Sequence, residues 1–321
     1  MEGGKKMQSE LSALRAVTMQ WQAPQVPQEI PHGDLPGDKI YIDPVHCEKA
    51  AVLVRNLALP LGTLLESRAN GKAVLSISGG SGVGKSEVAS VLSYYLNTLH
   101  VGCHIISGDN YPHRIPAQND AERLRIYRAA GIQSLIRSGV YSQEVGEYLR
   151  DLFCREQDSD PASCSLYPWL KDYQRAGWQA LEEYLGTPKE IDYDNINERI
   201  TQFKAGKPSL WCKRMGRTDS ELWYDAVDVR NCAVLIIEWT HGNSVYLKGI
   251  DLPVLLASTP QETLEHRRAR ARDGKVDSTF TSVVLEIEQE KIKARASAAA
   301  IILSKAGHVI DTDAYMDAMA E

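Results

Sequence analysis

The sequence predicts an α/β protein, a three-layer sandwich around a mostly parallel five-stranded sheet with a helical insertion. Three observations predict it. Apolar, partly β-branched runs recur at 73–78, 101–107, 232–237, 252–257 and 299–303, and short runs of that kind are buried strands. Helical patterns separate them, the alternation that gives crossovers and a parallel sheet. Between the second and third runs, residues 115–190 hold helical patterns and no strong strand, which marks an insertion rather than a connection.

Taken in order, residues 1–42 are polar and rich in Gln, Pro and Gly, an irregular or partly mobile lead-in. Residues 43–321 are expected to form the main domain. Asp43-Pro44 can start a helix, with Asp as N-cap and Pro in the first turn. It would run over 45–67, with Pro60 kinking or dividing it. After the strand at 73–78, Val88, Val91, Leu92, Tyr95, Leu96 and Leu99 fall at helical spacing. The insertion contributes helices at 121–136 and 143–153, and its aromatics Tyr167, Trp169 and Trp178 are expected in the core. A short helix at 197–204 follows, then strands at 209–213 and 222–229 that could pair. Helices at 263–272, 280–296 and 313–320 complete the chain.

Between the first strand and its helix lies Gly79-Gly80-Ser81-Gly82-Val83-Gly84-Lys85-Ser86, which fits G-x-x-x-x-G-K-[ST]. Glycines let backbone N–H groups turn inward around an anion, and the helix N-terminus adds positive potential. Lys85 can reach the β- and γ-phosphates of a nucleotide, and the Ser86 hydroxyl can ligate Mg²⁺.

Two further carboxylates stand at strand ends, where a parallel sheet places its ligand crevice. Asp109 follows the second strand within Gly108-Asp109-Asn110-Tyr111-Pro112-His113-Arg114 and could accept a proton from a substrate hydroxyl or hold Mg²⁺ through water. Its bland alternative is a turn-forming Asp. Glu238 ends the third strand, where a carboxylate near Mg²⁺ is needed. Arg267, Arg268, Arg270 and Arg272 crowd one helix, either as a solvated basic face or as a lid (260–280) closing over transferring phosphate. His113, Arg114, Arg123, Arg128, Lys213 and Arg214 could make an anion-friendly pocket, or be surface charges.

The whole chain narrows the class. Its 321 residues carry a net charge of −6, which argues against a nucleic-acid partner. Six scattered cysteines without C-x-x-C spacing point to reduced thiols rather than zinc or disulfides. No hydrophobic signal core is evident, and no apolar run approaches the length of a membrane span. The expectation is a cytoplasmic enzyme.

The order of these parts resembles the uridine kinase and phosphoribulokinase family of P-loop kinases. Ser107-Gly108-Asp109-Asn110-Tyr111 resembles the family's D-S-F-Y segment, whose Asp acts as base toward the substrate hydroxyl. Ile191-Asp192-Tyr193-Asp194 with Lys204-Ala205-Gly206-Lys207-Pro208 resembles A-F-D…L-K-x-G-K, which implicates Asp192 in substrate contact. Val234 to Glu238 resembles the V-I-L-E-G strand end, His266 to Asp273 the arginine lid, and Ala298 to Leu303 the A-D-I-I strand. The likeness runs from about Ala73 to Ile310. Trp239 stands where the family has Gly, the 115–190 stretch is longer than in uridine kinases, and their pyrimidine-clamping aromatics have no clear counterpart near Lys213-Arg214-Met215.

The resemblance implies a kinase using ATP and Mg²⁺ on a hydroxyl of a sugar-like, polyol, sugar-acid or nucleoside substrate. Gly79 to Ser86 would hold the nucleotide, Ser86 and Glu238 the metal, while Lys85, Asp109, Arg268 and Arg272 would carry the chemistry. Asp109, Tyr111, His113, Arg114, Asp192 and Glu238 would meet the substrate. The partner expected is a small molecule, neither nucleic acid nor membrane, with a homodimer open. Two alternatives stand beside it: a nucleotide-switched regulatory NTPase, which lacks its N/T-K-x-D element here, and a polynucleotide kinase.

Overall fold

The structure is a computed structural model that describes residues 11–33, 40–259, 261–264 and 278–320. The first strand, β1 (Ala73–Gly79), lies at the centre of a six-stranded sheet. Beside it run β5 (Val234–Glu238) and then β2 (Cys103–Ser107) on one flank; β6 (Leu252–Leu256), β7 (Ile301–Leu303) and β8 (Val309–Ile310) lie on the other. The first five strands in that sheet pair in parallel. Two-residue β8 pairs antiparallel with β7 and is the one strand of the sheet not foreseen. The predicted pair at 209–229 forms a separate antiparallel ribbon, β3 (Ser209–Met215) with β4 (Leu222–Asp228).

Alternation along the strands sends side chains to two faces. Leu75, Ile77, Val234, Ile236, Val254 and Leu256 point to a core under α1 (Pro44–Ser67) and α2 (Lys85–Thr98). Val74, Ile106, Leu235 and Ile237 point to a second core closed by α6 (Tyr193–Lys204) and the ribbon. Burial on both faces explains why the strands appear as unbroken apolar runs.

The start of α1 follows its sequence signal. Asp43 accepts from the His46 N–H at 2.9 Å, and His46 Nδ1 accepts in return from the Asp43 N–H, a reciprocal cap. Two expectations about this region change. The helix continues through Pro60 as one element, because packing of Leu53, Leu57, Leu61 and Leu65 into the core outweighs one lost backbone bond. Its most apolar 18-residue window has a mean hydropathy of 1.2, so the helix is long and apolar enough to span a membrane by length and composition, yet half of that window is buried inside the protein. The lead-in also packs: Leu11 and Leu14 sit in the same core, with Val17, Trp21, Val26 and Ile30 against it.

The insertion contributes α3 (Pro116–Arg137), α4 (Gln143–Arg155) and α5 (Leu170–Glu182). It has its own core of Tyr127, Leu135, Leu149, Leu152, Tyr173 and Leu181. Tyr127 and Tyr173 meet edge to face with ring centres 5.9 Å apart, while Tyr167, Trp169 and Trp178, expected in the core, are half-buried and pack against it. Val284 and Ile287 of α7 (Thr279–Lys293) complete that core. The closing helix α8 (Thr312–Ala318) covers β6 and β7 through Tyr315.

Candidate active site

The phosphate loop hangs between the C-terminal end of β1 and the start of α2. Two of its glycines are required. Gly79 has φ of 151°, and a Cβ there would come within 2.6 Å of the Leu256 carbonyl; Gly84 has φ of 89°, and a Cβ would meet His46 Nε2 at 2.6 Å. Gly84 is the N-cap of α2 and brings no capping side chain, so the first N–H groups of the helix face the loop's interior. Lys85 is buried and donates to the Gly80 carbonyl at 3.0 Å; Ser86 is buried beside it.

Three strands end together at this edge. In the sheet register Glu238 of β5 is level with Ile77 of β1 and with Ser107 of β2. Glu238 is buried, and Ser107 Oγ is buried with no hydrogen-bond partner among the described residues. Ser258 Oγ, just past β6, is in the same condition. An open helix N-terminus, a lysine and orphaned hydroxyls fit a nucleotide's phosphates. Ser86 and Glu238 are the residues here that could hold a divalent cation between those phosphates and the protein.

Asp109 lies on a 3₁₀ turn, Gly108–Asn110, directly after β2 and is half-buried. The turn is pinned on several sides. Asn110 Oδ1 accepts from the Met215 N–H at 3.0 Å, the Tyr111 carbonyl from the Asp192 N–H at 2.9 Å, and the Pro112 carbonyl from Lys213 Nζ at 2.7 Å. Asp192 thus stands next to the Asp109 segment, where it caps α6 by accepting from the Asn195 N–H at 3.2 Å. Tyr111 is fully buried in the second core. His113 is exposed, with Nε2 3.1 Å from the Pro188 carbonyl. Arg114 donates to the Tyr184 hydroxyl at 3.0 Å. Arg268 and Arg272 lie outside the described residues.

The cations grouped as an anion pocket are committed elsewhere. Arg128 forms a forked pair with the buried Asp158 at 2.8 and 3.1 Å, Arg214 bonds Asp225, and Arg123 bonds Glu190 at 2.6 Å. Glu190 is fully buried and also accepts from Asn119 at 2.8 Å and the Gly186 N–H at 2.5 Å. Burial pushes the Glu190 carboxyl up, but Arg123, His241 and the Gly186 N–H more than reverse it and hold it below the usual carboxylate range.

Around this pair the structure assembles groups that the sequence did not mark. His241, three residues past Glu238, fills the space a Gly186 side chain would need, with Cε1 2.7 Å from a Cβ there. Burial, helped by Arg123, Lys291 and Lys85 and opposed by Glu190, lowers its imidazole to about 4, so it is neutral at pH 7. Glu288 of α7 lines a narrow cleft with Gly80 and Ser81 of the phosphate loop. Burial, with Glu190 and Asp109 adding to it against Arg123 and Lys85, raises its carboxyl to about 7. Arg123 and Glu190 bond each other, and their charges, with those of Lys85 and Asp109, act on the Glu288 carboxyl. Glu288 gave no signal because it is one charge among several on an amphipathic helix.

The strand order, the loop at the end of β1 and the carboxylates at the ends of β2 and β5 agree with the phosphate-loop α/β architecture expected from the sequence. The chain is 37% identical over 246 residues to a bifunctional alpha-galactosidase/sucrose kinase of Mediterraneibacter gnavus, a match that takes in 77% of this chain. It spans 21% of that relative's length. Among solved structures it is similar to a candidate fructose transport system kinase from Silicibacter sp. TM1040, with a TM-score of 0.40 and 16% identity over 75% of this chain and 92% of that one. It is also similar to a possible uridine kinase from Bacillus stearothermophilus, with a TM-score of 0.38 and 16% identity over 78% of this chain and 98% of that one. No family model matches the chain.

Proposed function

We propose that the protein is an ATP- and Mg²⁺-dependent kinase that moves the γ-phosphoryl group of ATP to a hydroxyl of a small sugar-like acceptor. The observation that carries this is the phosphate loop with its buried Lys85 and Ser86 at the carboxyl edge of the sheet, where Glu238 ends β5 level with Ile77 of β1 and Ser107 of β2, and Asp109 follows β2 on a 3₁₀ turn. Phosphoryl transfer asks a protein mainly for positioning and charge stabilisation. Lys85 and the N–H groups of Gly79 to Ser86 hold the β- and γ-phosphate oxygens. Asp109 orients the acceptor hydroxyl and takes its proton as transfer proceeds. Ser86 and Glu238 would hold the cation, which would neutralise phosphate charge when bound. Arg268 and Arg272 keep the role the resemblance implies, closing over the transferring group.

A sugar is favoured among hydroxyl acceptors because the 37% identical relative is named in part as a sucrose kinase. Net charge of −6 favours a small molecule over nucleic acid. The test is an ADP-release screen over sugars, polyols, sugar acids and nucleosides, with Lys85→Ala as the blank. Release stimulated by one of these acceptors supports the reading. Release no higher than that with water alone, for every acceptor, overturns it.

A further inference from the structure

We propose that His241 binds the acceptor: its imidazole hydrogen-bonds a hydroxyl other than the one that is phosphorylated, so the site demands a polyhydroxylated molecule. This rests on the kinase reading above and deepens it.

Contacts place this residue. His241 lies on the turn 239–242 that follows Glu238 at the end of β5, and β5 runs between β1 and β2. On the β1 side, the Trp239 N–H donates to the Ile77 carbonyl at 3.0 Å. A Cβ on Gly242 would come 3.4 Å from the Cβ atoms of Ser76 and Ser78, and Ser78 directly precedes the phosphate loop. On the β2 side, the Trp239 indole lies against Gly108, the residue before Asp109. The turn therefore stands between the phosphate loop and Asp109, the two places an acceptor must bridge.

The ring is held by packing. It meets the Trp239 indole edge to face, with ring centres 5.3 Å apart. Its nitrogen-bearing edge lies over Gly186 in the turn after α5, where a Cβ would be 2.8 Å from Nδ1 and 3.4 Å from Nε2. The side chain is half-buried. Lys85, Arg123, Lys291 and Glu190 act on it through their charges, and none of them hydrogen-bonds it. Polar groups enclosed in a native fold normally have a partner. An apolar ring would fill the gap between Gly186 and Trp239 equally well, so packing leaves the two nitrogens unexplained.

A hydroxyl explains them. A neutral imidazole donates from one nitrogen and accepts at the other, and a hydroxyl is both donor and acceptor. The Trp239 indole separates His241 from the Asp109 turn, so the hydroxyl that His241 binds is not the one Asp109 deprotonates. One acceptor must reach both residues. A sugar or polyol does so, and a monohydric alcohol does not.

The test uses the full chain with Mg²⁺ATP. Its probes are the compound turned over best in the screen above, with D-glucose, D-fructose and sucrose among the sugars, and that compound's monodeoxy analogues. In the wild type, one deoxy position away from the phosphorylated hydroxyl should lower kcat/KM at least about tenfold, because a polar group of the site is left unpaired. His241→Phe keeps a ring against Gly186 and Trp239. It should raise the parent compound's KM at least about tenfold, with kcat held within about threefold and nucleotide affinity within about twofold. It should also show no further penalty for that one deoxy analogue, since the two changes remove the same contact. His241→Asn, which keeps a donor and an acceptor, should restore part of the affinity and part of the penalty. His241→Ala gives the same comparison if the larger ring prevents folding. A Phe or Ala variant with wild-type KM, or one that penalises every deoxy analogue as the wild type does, overturns the assignment while the kinase reading survives. A wild type that turns over a monohydric alcohol as well as a sugar does the same. Absence of acceptor-dependent release with every compound overturns the kinase reading and this inference together.

Discussion

The indole of Trp239 lies against Gly108: a Cβ at Gly108 would fall inside van der Waals contact with the Trp239 ring. The Trp239 N–H continues the ladder by donating to the Ile77 carbonyl at 3.0 Å. The tryptophan after Glu238 thus supports the turn carrying Asp109, and the chain accommodates it by having glycine at 108. Gly108→Ala should displace one or the other and lower kcat by at least about tenfold, since a shift near 1 Å can cost about a hundredfold. Nucleotide binding should persist. Adding Trp239→Gly should recover part of the loss, because the two residues are coupled. A Gly108→Ala enzyme with normal turnover would contradict the contact's role.

Asp109→Asn should keep ATP affinity and lower kcat by about a hundredfold or more, the usual loss on removing a general base. Steady-state kinetics with nucleotide titration check this. Near-normal turnover would remove Asp109 from the chemistry.

Glu288 links the site to stability. Its carboxyl is raised from 4.5 to about 7 in the fold, so the favourable protonated state is fully present below pH 4.5 and is lost as pH rises through about 7. Glu288→Gln removes that loss. The variant should match the wild type near pH 4 and exceed it by about 1–2 kcal/mol at pH 8, the shift being discounted for partial exposure. Urea unfolding across that range measures it. A gain at pH 8 no larger than at pH 4 would contradict the prediction.

Asp251 is a staple at the other end of the sheet. Its side chain accepts from Arg68 twice at 2.6 Å, from Lys204 at 2.7 Å and from the Val74 N–H at 2.8 Å. Burial pushes its carboxyl up, but these four donors hold it below 3.8. The stability it contributes is therefore present above about pH 4 and lost as pH falls through its folded value. Asp251→Ala should cost about 3–5 kcal/mol at pH 7, the range for breaking a buried ion pair. The gap from wild type should narrow at low pH. A gap of the same size at pH 7 and pH 2.5 would show that the carboxylate's charge is not what matters.

Much of the frame was legible because β1, β5 and β6 are buried on both faces and so leave continuous apolar runs. The phosphate loop was legible because its glycines obey a local backbone rule. What stayed hidden depends on distance or brevity. Val309 and Ile310 form too short a strand to leave a pattern. The pairing of Arg123 with Glu190 joins residues 67 positions apart, and Glu288 enters the site only once Ile287 has docked on the insertion. Arg128 and Arg214 looked available as anion ligands for the same reason, since Asp158 and Asp225 become their partners only in the fold. Pro60 does not divide the helix, as tertiary burial of α1 overrode a local helix-breaking preference.

The most direct measurement follows the phosphate itself. The wild-type chain is incubated with Mg²⁺ and ATP labelled at the γ-phosphate, with a neutral sugar as acceptor, and the products are separated. Label recovered on the sugar as a phosphate ester, abolished by Lys85→Ala and reduced about a hundredfold or more by Asp109→Asn, is the result predicted. Label found only as inorganic phosphate, at a rate no acceptor changes, would contradict phosphoryl transfer to a hydroxyl.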